Sequence, residues 1–508
     1  MAAPETQTRA DTGADTAFAQ LMAHERRTRA LEEVAGRLGW DQETVMPRAA
    51  VAQRADETAA LSAVIHARRT DPRIPEWLQA ARDAGAEADP VAAACLREIA
   101  RAHDRHARVP ETLATALARR TALAQGEWAA ARAEGDSAAF VPVLDEVLRL
   151  KREEAAALAQ DGDPYDALLD LFEPGTTASF YDDLFAALRP RLAALAARCL
   201  DGPPAPVPQG RFAGDAQLRL ARDLAARFGY DFERGRLDLA VHPFSSGSGA
   251  DVRITTRVDE GDPFNCLYST LHETGHACYE QAVAPEFALG PLGRGASMGV
   301  HESQSRLYEN QLGRSRAFCG WLWGAMRDAF GAASGLADAR ALWRAVNRVH
   351  PGFIRTEADE VHYNLHIMLR YDLERAMIRG ELEARDVEAA WNARFAADFG
   401  RTPPDPGQGW LQDVHWSVGL MGYFPTYALG NVYAGCLHAA LIRAVPDLDQ
   451  RLAAGDPGAA TAWLRAHVQR HGEFHSPRDL IAQATGAPPD ATQLLSYLEA
   501  KFSALCVG

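Results

Sequence analysis

The residues whose types and spacing most clearly suggest chemistry are His272, Glu273 and His276, which form an H-E-x-x-H sequence. Two histidines four positions apart on an α-helix are rotated by about 40° and separated by about 6 Å, so both imidazoles point into one space. This pair suits a zinc ion, and Glu273 could hydrogen-bond a metal-bound water from the flank of the same face. Chance alone would produce the pattern roughly 0.03 times in such a chain. The surrounding sequence therefore has to show whether the motif is a metal site.

The residues before the motif predict that it lies on a helix. Asp262 is a good N-cap, and Pro263 fits the first turn of a helix. Apolar residues then recur at helical spacing, namely Phe264, Leu267, Tyr268 and Leu271. After a glycine-rich loop, a second helix is predicted from about Ser297 to Leu312, closed by Gly313.

This second helix could supply the third metal ligand. A catalytic zinc ion takes three protein ligands and keeps one position open for water. The helix contains His301-Glu302-Ser303-Gln304, so the candidates are His301 and Glu302. Imidazole and carboxylate both bind zinc, so the chemistry of the residues does not choose between the two.

Composition limits the classes of function. The chain has 508 residues, 47% hydrophobic and 24% charged, as in an ordinary soluble enzyme. Its net charge of -15 argues against nucleic acid and anionic membranes as partners. Seven scattered cysteines without a C-x-x-C pair indicate reduced thiols, and no apolar run is long enough for a membrane span. We therefore expect a cytoplasmic protein.

Periodicity predicts a mainly α fold. Alanine-rich helical patterns fill most of residues 16–199, and the loop-like stretch 201–214 follows. Short strands are predicted at 237–241 and 252–256, with a flexible Ser/Gly stretch at 245–249 between them. We expect one large helical domain over residues 16–508, preceded by a disordered tail over 1–15. A small β-sheet and a deep active-site groove should lie beside the zinc-binding helix.

The H-E-x-x-H motif and the segment His301-Glu302-Ser303-Gln304, together with further blocks along the chain, resemble the carboxypeptidase Taq family of zinc metallocarboxypeptidases. These blocks are Trp40-Asp41-Gln42-Glu43, His242-Pro243-Phe244, Asp251-Val252-Arg253-Ile254-Thr255, Ile354-Arg355-Thr356-Glu357-Ala358-Asp359-Glu360, Gln412-Asp413-Val414-His415-Trp416 and Gly422-Tyr423-Phe424-Pro425-Thr426-Tyr427. The likeness spans nearly the whole chain. It implies that Glu302 is the third zinc ligand, that His301 is a neighbouring non-ligand, and that the protein is a homodimer.

The same blocks contain the candidates for substrate binding, which are Arg253, Arg355, His242 and Tyr423. Either arginine could form an ordinary salt bridge or bind a substrate carboxylate through two parallel hydrogen bonds. His415 and Tyr427 are candidate catalytic residues, because a zinc peptidase needs hydrogen-bond donors for the tetrahedral oxyanion.

The resulting hypothesis is a metal-dependent carboxypeptidase that acts on peptides with a free C-terminus. It would use one divalent metal per chain, zinc or alternatively cobalt, with Glu273 as general base. A zinc endo-oligopeptidase of similar fold is the first alternative, and its cleft would lack a carboxylate clamp. A non-catalytic helical binding protein is the second, against which the intact Glu273 argues. His362 and His366 repeat the four-residue spacing without a following glutamate, so packing is the expected role of this pair.

Overall fold

The computed structural model describes residues 13–331 and 335–506. The tail expected over residues 1–15 lies outside the described residues as far as residue 12, and the first helix begins at Gly13. The helices before the sheet are α1 (Gly13–Thr44), α2 (Val51–Arg69), α3 (Arg73–Asp83), α4 (Pro90–Arg108), α5 (Glu111–Glu134), α6 (Ser137–Ala159), α7 (Pro164–Asp170), α8 (Ala178–Leu200) and α9 (Gly214–Arg227). The predicted alanine-rich helices are thus confirmed.

A three-stranded sheet follows, made of β1 (Leu237–Leu239), β2 (Ser245–Ser248) and β3 (Asp251–Thr256). The order is β1-β3-β2, with β1 parallel and β2 antiparallel to the central β3. The prediction of a flexible Ser/Gly stretch was wrong, since most of it forms β2. Gly247 makes this pairing possible: it has a φ of +90°, and a Cβ there would lie 2.0 Å from the Asp251 carbonyl oxygen.

Two helices that pack on each other contain the metal-site motifs, α10 (Pro263–Ala282) and α11 (Met298–Arg306). Asp262 caps α10 as predicted, since its carboxylate accepts a hydrogen bond from the Phe264 N–H. The sheet also packs on α10. The second predicted helix begins where it was predicted, with the Ser297 hydroxyl as its N-cap. Its last part, Leu307–Gly313, is a π-helix and not an α-helix.

The remaining helices are α12 (Arg316–Phe330), α13 (Ala339–Val346), α14 (Glu360–Ile378), α15 (Val387–Phe399), α16 (Pro425–Ala444), α17 (Leu448–Ala453), α18 (Gly458–His467), α19 (Pro477–Thr485) and α20 (Ala491–Cys506). Helix α11 lies between α10 and the almost entirely buried α16. One large apolar core includes side chains from α5 through α20, and a smaller one joins α1, α3 and α4. The expected mainly α fold with one small sheet beside α10 is confirmed.

Two further features concern the surface and the thiols. Within the described ranges, no helix combines the length and apolar character needed to cross a bilayer. All seven cysteines are free, and five of them are buried. The other two, Cys199 at the end of α8 and Cys506 at the end of α20, lie side by side with their sulfur atoms 2.7 Å apart.

Candidate metal centre

His272 and His276 of α10 and Glu302 of α11 come together as a cluster of three potential ligands. One ligand atom from each residue lies within 4.8 Å of the other two. The Oε2 atom of Glu302 is 3.7 Å from His272 Nε2 and 3.4 Å from His276 Nε2. Glu302 is buried, whereas the two imidazoles remain 19% and 17% exposed. The cluster therefore opens to solvent on the histidine side.

Two glycines determine how closely the helices of the cluster approach. A Cβ at Gly275, inside the motif, would lie 2.6 Å from the Gln304 carbonyl oxygen, so the bare backbone lets α10 and α11 touch. A Cβ at Gly430 of α16 would lie 2.6 Å from both Cβ and Cγ of Glu302. Real Cβ atoms do not approach other atoms this closely, so larger residues at these two positions would displace the ligand helices.

Each histidine is held through its outer nitrogen. His272 Nδ1 lies 2.9 Å from Glu309 Oε2, and His276 Nδ1 lies 2.6 Å from His301 Nδ1. With Nδ1 occupied in both rings, the two Nε2 atoms face Glu302. Metal-ligating histidines usually bond in this way through their second nitrogen, which sets the tautomer and orientation of the ring.

The two nitrogens of His301 are both directed away from the cluster. Its Nδ1 contacts His276, and its Nε2 lies 2.8 Å from Glu280 Oε1. No ring nitrogen of His301 is therefore left for a metal, whereas Glu302 presents Oε2 to both histidines. This geometry supports Glu302 over His301 as the third ligand.

Neighbouring groups keep the Glu302 carboxyl ionised. Its Oε1 accepts a hydrogen bond of 2.6 Å from Arg306 Nε, and its Oε2 accepts one of 3.1 Å from the Ser305 hydroxyl. Burial alone would raise the pKa of Glu302, but the charge of Arg306 and the nearby histidines hold it well below the usual range. Glu302 is therefore a carboxylate near neutral pH, as a metal ligand must be.

Glu273 differs from the other acidic residues of the site. It is buried, yet it makes no hydrogen bond to any residue that the structure describes. Burial raises the pKa of Glu273 to about 7; His272 lowers it, and Glu302 raises it further. A buried carboxyl with a pKa near the working pH is typical of a general acid or base.

The donor set fits a divalent metal. Two imidazoles and one carboxylate are the ligands of many catalytic zinc sites, which leave a fourth position open. Here the exposed side of the cluster leaves that position accessible, and the outward hydrogen bonds of both Nδ1 atoms leave the Nε2 lone pairs for a cation. The observed arrangement thus agrees with a three-ligand catalytic site.

Aromatic side chains and a buried ion pair lie on the α16 side of the cluster. The guanidinium of Arg355 donates to Asp413 Oδ1 over 3.0 and 2.8 Å, and to the Tyr363 hydroxyl over 3.3 Å. It also lies 5.2 Å from the centre of the Tyr427 ring. Arg306, the partner of Glu302, stacks on the same Tyr363 ring at 4.0 Å. Arg355 is therefore connected to the ligand cluster through one shared tyrosine.

The two tyrosines and the histidine proposed around the substrate lie together. The Tyr423 and Tyr427 rings are 5.3 Å apart, and the His415 ring lies 5.6 and 6.4 Å from them. Burial raises the pKa of Tyr423 to about 12 and that of Tyr427 well above its usual range, so both hydroxyls stay protonated. Burial, reinforced by Arg355 despite the opposing Asp413, lowers the pKa of His415 to about 4. All three groups can therefore donate a neutral hydrogen bond.

Arg253 and His242 are placed differently from the other predicted substrate-binding residues. Arg253 forms a two-bond pair with Asp251, at 2.8 and 3.0 Å, and stacks on Trp40 of α1 at 4.3 Å. None of these contacts reaches the ligand cluster. His242 is exposed in the loop between β1 and β2. Their roles in substrate binding stay predictions, and the contacts of Arg253 also suit a link between the sheet and α1.

Several contacts around the cluster were not predicted from the sequence. Glu309 and Arg306 contact the candidate ligands His272 and Glu302 directly. Glu280 contacts His301, and Tyr363 contacts Arg306, so these two residues lie one contact further out. No motif marks any of the four. Only Asp413 gave a signal, since it stands in a block that resembles the family. The second histidine pair packs as expected: His362 Nδ1 lies 2.8 Å from Asp359 Oδ2, and His366 is buried against Phe399.

A mainly α chain with this donor set beside a buried, unpaired glutamate falls in the class of helical metallopeptidases. The family model described as carboxypeptidase Taq (M32) metallopeptidase matches residues 20–502. The chain belongs to this family and is a metallocarboxypeptidase, a peptide hydrolase. The resemblance drawn from the sequence blocks is thereby confirmed.

Relatives and solved structures are similar to this chain over nearly its whole length. The chain is 41% identical to thermostable carboxypeptidase 1 of Thermus thermophilus, over 97% of this chain and 99% of that protein. The M32 carboxypeptidase of Deinococcus radiodurans superimposes with a TM-score of 0.94 at 38% identity, covering 97% of this chain and 99% of that one. Metallocarboxypeptidase 1 of Trypanosoma cruzi gives a TM-score of 0.93 at 33% identity, covering 96% and 99%.

Proposed function

We propose that this chain hydrolyses the C-terminal peptide bond of peptides with a free C-terminus, using one zinc ion held by His272, His276 and Glu302. Cobalt is the alternative metal. The observation that supports this proposal most directly is the three-ligand cluster beside the unpaired Glu273. A zinc ion at this cluster would supply Lewis acidity, which activates water and polarises the scissile carbonyl.

Glu273 acts as the general base. It follows the first ligand histidine on α10 and is the acidic side chain of the site without a hydrogen-bond partner among the described residues. A carboxylate there accepts a proton from the attacking water and then delivers it to the leaving amine. Its pKa of about 7 suits both steps, because the group is readily ionised and readily protonated near neutral pH.

His415, Tyr423 and Tyr427 hold the reacting carbonyl. All three can donate a neutral hydrogen bond, and their rings lie together. His415 Nδ1 is buried without a hydrogen-bond partner in the described part of the chain, and the Asp413 Oδ1 atom lies 3.9 Å away, beyond hydrogen-bond distance. A donor without a partner in a buried site can bond the oxyanion as it forms, which is where such a bond lowers the barrier.

Arg355 binds the substrate carboxylate. It is buried beside the aromatic group, where a charge is little screened by water. Asp413 already occupies two of its nitrogens, but Asp413 is also paired with Arg370, at 2.7 Å from Arg370 Nε. This second arginine would hold Asp413 when Arg355 turns part of its guanidinium towards a substrate. In an acidic protein, such a local cation is needed to attract a free C-terminus.

The experiment that tests the proposal compares two peptides of identical sequence, one with a free C-terminus and one amidated. After metal removal and reconstitution with zinc or cobalt, mass spectrometry should show stepwise loss of the last residue from the free peptide and only weak residual cleavage of the amidated one. Cuts inside the chain, or equal cleavage of both peptides, would favour the endo-oligopeptidase. Binding without any cleavage would favour the non-catalytic alternative.

We also propose that the protein works in the cytoplasm as a homodimer with one domain over residues 16–508. The free cysteines and the resemblance to the family support these proposals. Sedimentation equilibrium measures the mass of the assembly directly. A monomer at micromolar concentration would contradict the dimer.

A further inference from the structure

We propose that His301 is a positioning residue that fixes the tautomer and orientation of His276 through a hydrogen-bonded chain ending at Glu280. The inference rests on the proposed metal site. Three polar groups lie in series behind the ligand: His276 Nδ1 is 2.6 Å from His301 Nδ1, and His301 Nε2 is 2.8 Å from Glu280 Oε1. The other ligand histidine, His272, contacts the carboxylate of Glu309 without an intervening ring.

The proton positions in this chain follow from the chemistry of its ends. A ligand nitrogen needs its lone pair, so His276 Nε2 carries no proton and Nδ1 carries one. His301 Nδ1 must then accept the hydrogen bond from His276. The single proton of a neutral His301 therefore lies on Nε2, where it is donated to the Glu280 carboxylate.

The reverse arrangement fails at both ends. If His301 Nδ1 donated to His276, the proton of His276 would lie on Nε2 and block metal binding. A neutral His301 would also present a bare Nε2 to the Glu280 carboxylate at 2.8 Å, which places two acceptors in contact. A metal on His276 and a carboxylate at Glu280 thus select the same single pattern of protons.

Packing holds the His301 ring in this place. The Tyr279 ring lies against it, with centroids 5.2 Å apart. A Cβ at Gly295 would lie 2.7 Å from His301 Cδ2, so this glycine leaves the space that the ring fills. Glu280 is buried, and its Oε1 also accepts a hydrogen bond of 3.0 Å from the Gly295 N–H. The hydrogen-bonded series therefore begins and ends on α10, and its middle member, His301, belongs to α11.

The test measures zinc affinity, by competition with a chromophoric chelator, in the full-length protein and two variants at position 301. His301→Phe keeps a ring against Tyr279 but offers no acceptor to His276 Nδ1. His301→Asn places an amide oxygen near the former Nδ1, where it can accept this hydrogen bond. We expect His301→Phe to raise the zinc Kd by about 10–100-fold, as for other outer partners of metal ligands, and His301→Asn to restore most of the affinity.

A third variant and a matched control separate a change in zinc affinity from a loss of folding. Glu280→Gln removes the charge at the end of the chain while keeping its shape, and should raise the zinc Kd by a smaller factor. His467→Phe is the control, because His467 also stacks on an aromatic ring, that of Trp463, but lies outside the site. Its zinc Kd should equal that of the unaltered protein. The melting temperature of each metal-free variant shows whether it is folded.

The outcomes separate this inference from the function on which it rests. If the unaltered protein bound no zinc, or if His272→Ala bound it equally well, the metal site itself would be wrong. If zinc bound normally but His301→Phe and Glu280→Gln left the Kd unchanged, the positioning role would be refuted. Equal losses in His301→Asn and His301→Phe would also refute it, since a hydrogen-bond acceptor would then make no difference.

Discussion

The side chain of Glu302 lies directly against the backbone of Gly430, where an added Cβ would be 2.6 Å from both Glu302 Cβ and Cγ. Neither of these atoms is the free end of a flexible side chain, so the Glu302 side chain itself would have to move. Helix α16 therefore limits the position of a carboxylate that belongs to α11.

Gly430→Ala should weaken zinc binding by about 10-fold or more, because functional geometry tolerates displacements of only about 0.5 Å. Overpacking should also cost about 1–3 kcal/mol of stability. The matched control is Gly320→Ala on α12, where a Cβ meets nothing within 4 Å. This control should be about 0.5–1 kcal/mol more stable than the unaltered protein. An unchanged zinc Kd in folded Gly430→Ala would show that the contact is unimportant for the ligand.

Replacing a ligand should remove metal and activity together. His272→Ala and His276→Ala are expected to lose stoichiometric zinc, as measured by elemental analysis after dialysis, and to lose detectable turnover. His467→Ala removes an exposed histidine at the end of α18, outside the cluster, and should retain both. Full zinc content in either ligand variant would exclude that residue from the site.

The carboxylate ligand needs a gentler substitution. Glu302→Ala would remove the nearer of the two carboxylate partners of the half-buried Arg306 and would therefore destabilise the fold as well as the site. Glu302→Gln keeps an oxygen for Arg306 but removes the negative charge. We expect it to fold, as judged by thermal melting, and to bind zinc much more weakly. Normal zinc affinity in this variant, with a loss in His301→Asn, would reverse the choice of third ligand.

Glu273→Gln separates metal binding from proton transfer. The amide has nearly the shape of the carboxyl, and Glu273 makes no hydrogen bond among the described residues that the change would break. Zinc content and melting temperature should therefore stay the same, while kcat falls by about 10²–10⁴-fold or more. Turnover close to that of the unaltered enzyme would remove Glu273 from the mechanism.

Arg355→Ala should affect substrates according to their C-terminus. For peptides with a free carboxylate, we expect a higher KM and a loss in kcat/KM equivalent to about 2–4 kcal/mol, the scale for truncating a buried charge pair. Residual cleavage of amidated peptides should change little. Arg253→Ala is the comparison, since its guanidinium contacts Asp251 and Trp40 away from the cluster. A larger loss in Arg253→Ala would assign the clamp to that residue.

His415 should make stability depend on pH in a defined window. Its pKa is about 4 in the folded protein, against an ordinary value of 6.5, because burial disfavours the imidazolium. Between these values the unfolded chain binds more protons, so stability falls as the pH drops from 6.5 towards 4. The free energy of unfolding, measured in urea, should fall less for His415→Gln between pH 7 and pH 5. Parallel curves for the two proteins would contradict the shifted pKa.

The sequence was sufficient where local signals and tertiary packing agree. Asp262 and Pro263 define the start of α10 through capping and fixed backbone geometry, and helical periodicity then places both histidines on one face. The cluster with Glu302 followed from a resemblance, because the residues themselves allowed His301 equally. The structure supports Glu302 as the third ligand through contacts between α10 and α11, which the sequence of a single helix does not predict.

The missed features depend on packing between distant segments. Strand β2 consists of serine and glycine, which have no strong strand preference, and it forms because β3 pairs with it and α10 supports it. The contact between His276 and His301 requires the close approach of α10 and α11 at Gly275. Contacts of this kind can be recognised only when the relative positions of the helices are known.

The π-helix at Leu307–Gly313 makes the site sensitive to chain length as well as to residue type. A π-turn contains more residues than an α-turn, and Glu309, which contacts His272, lies inside this π-helix. Deleting Leu307 or Tyr308 would rotate Glu309 by about 100° relative to α11. Glu309 would then leave His272 although the H-E-x-x-H and H-E-S-Q residues were all intact.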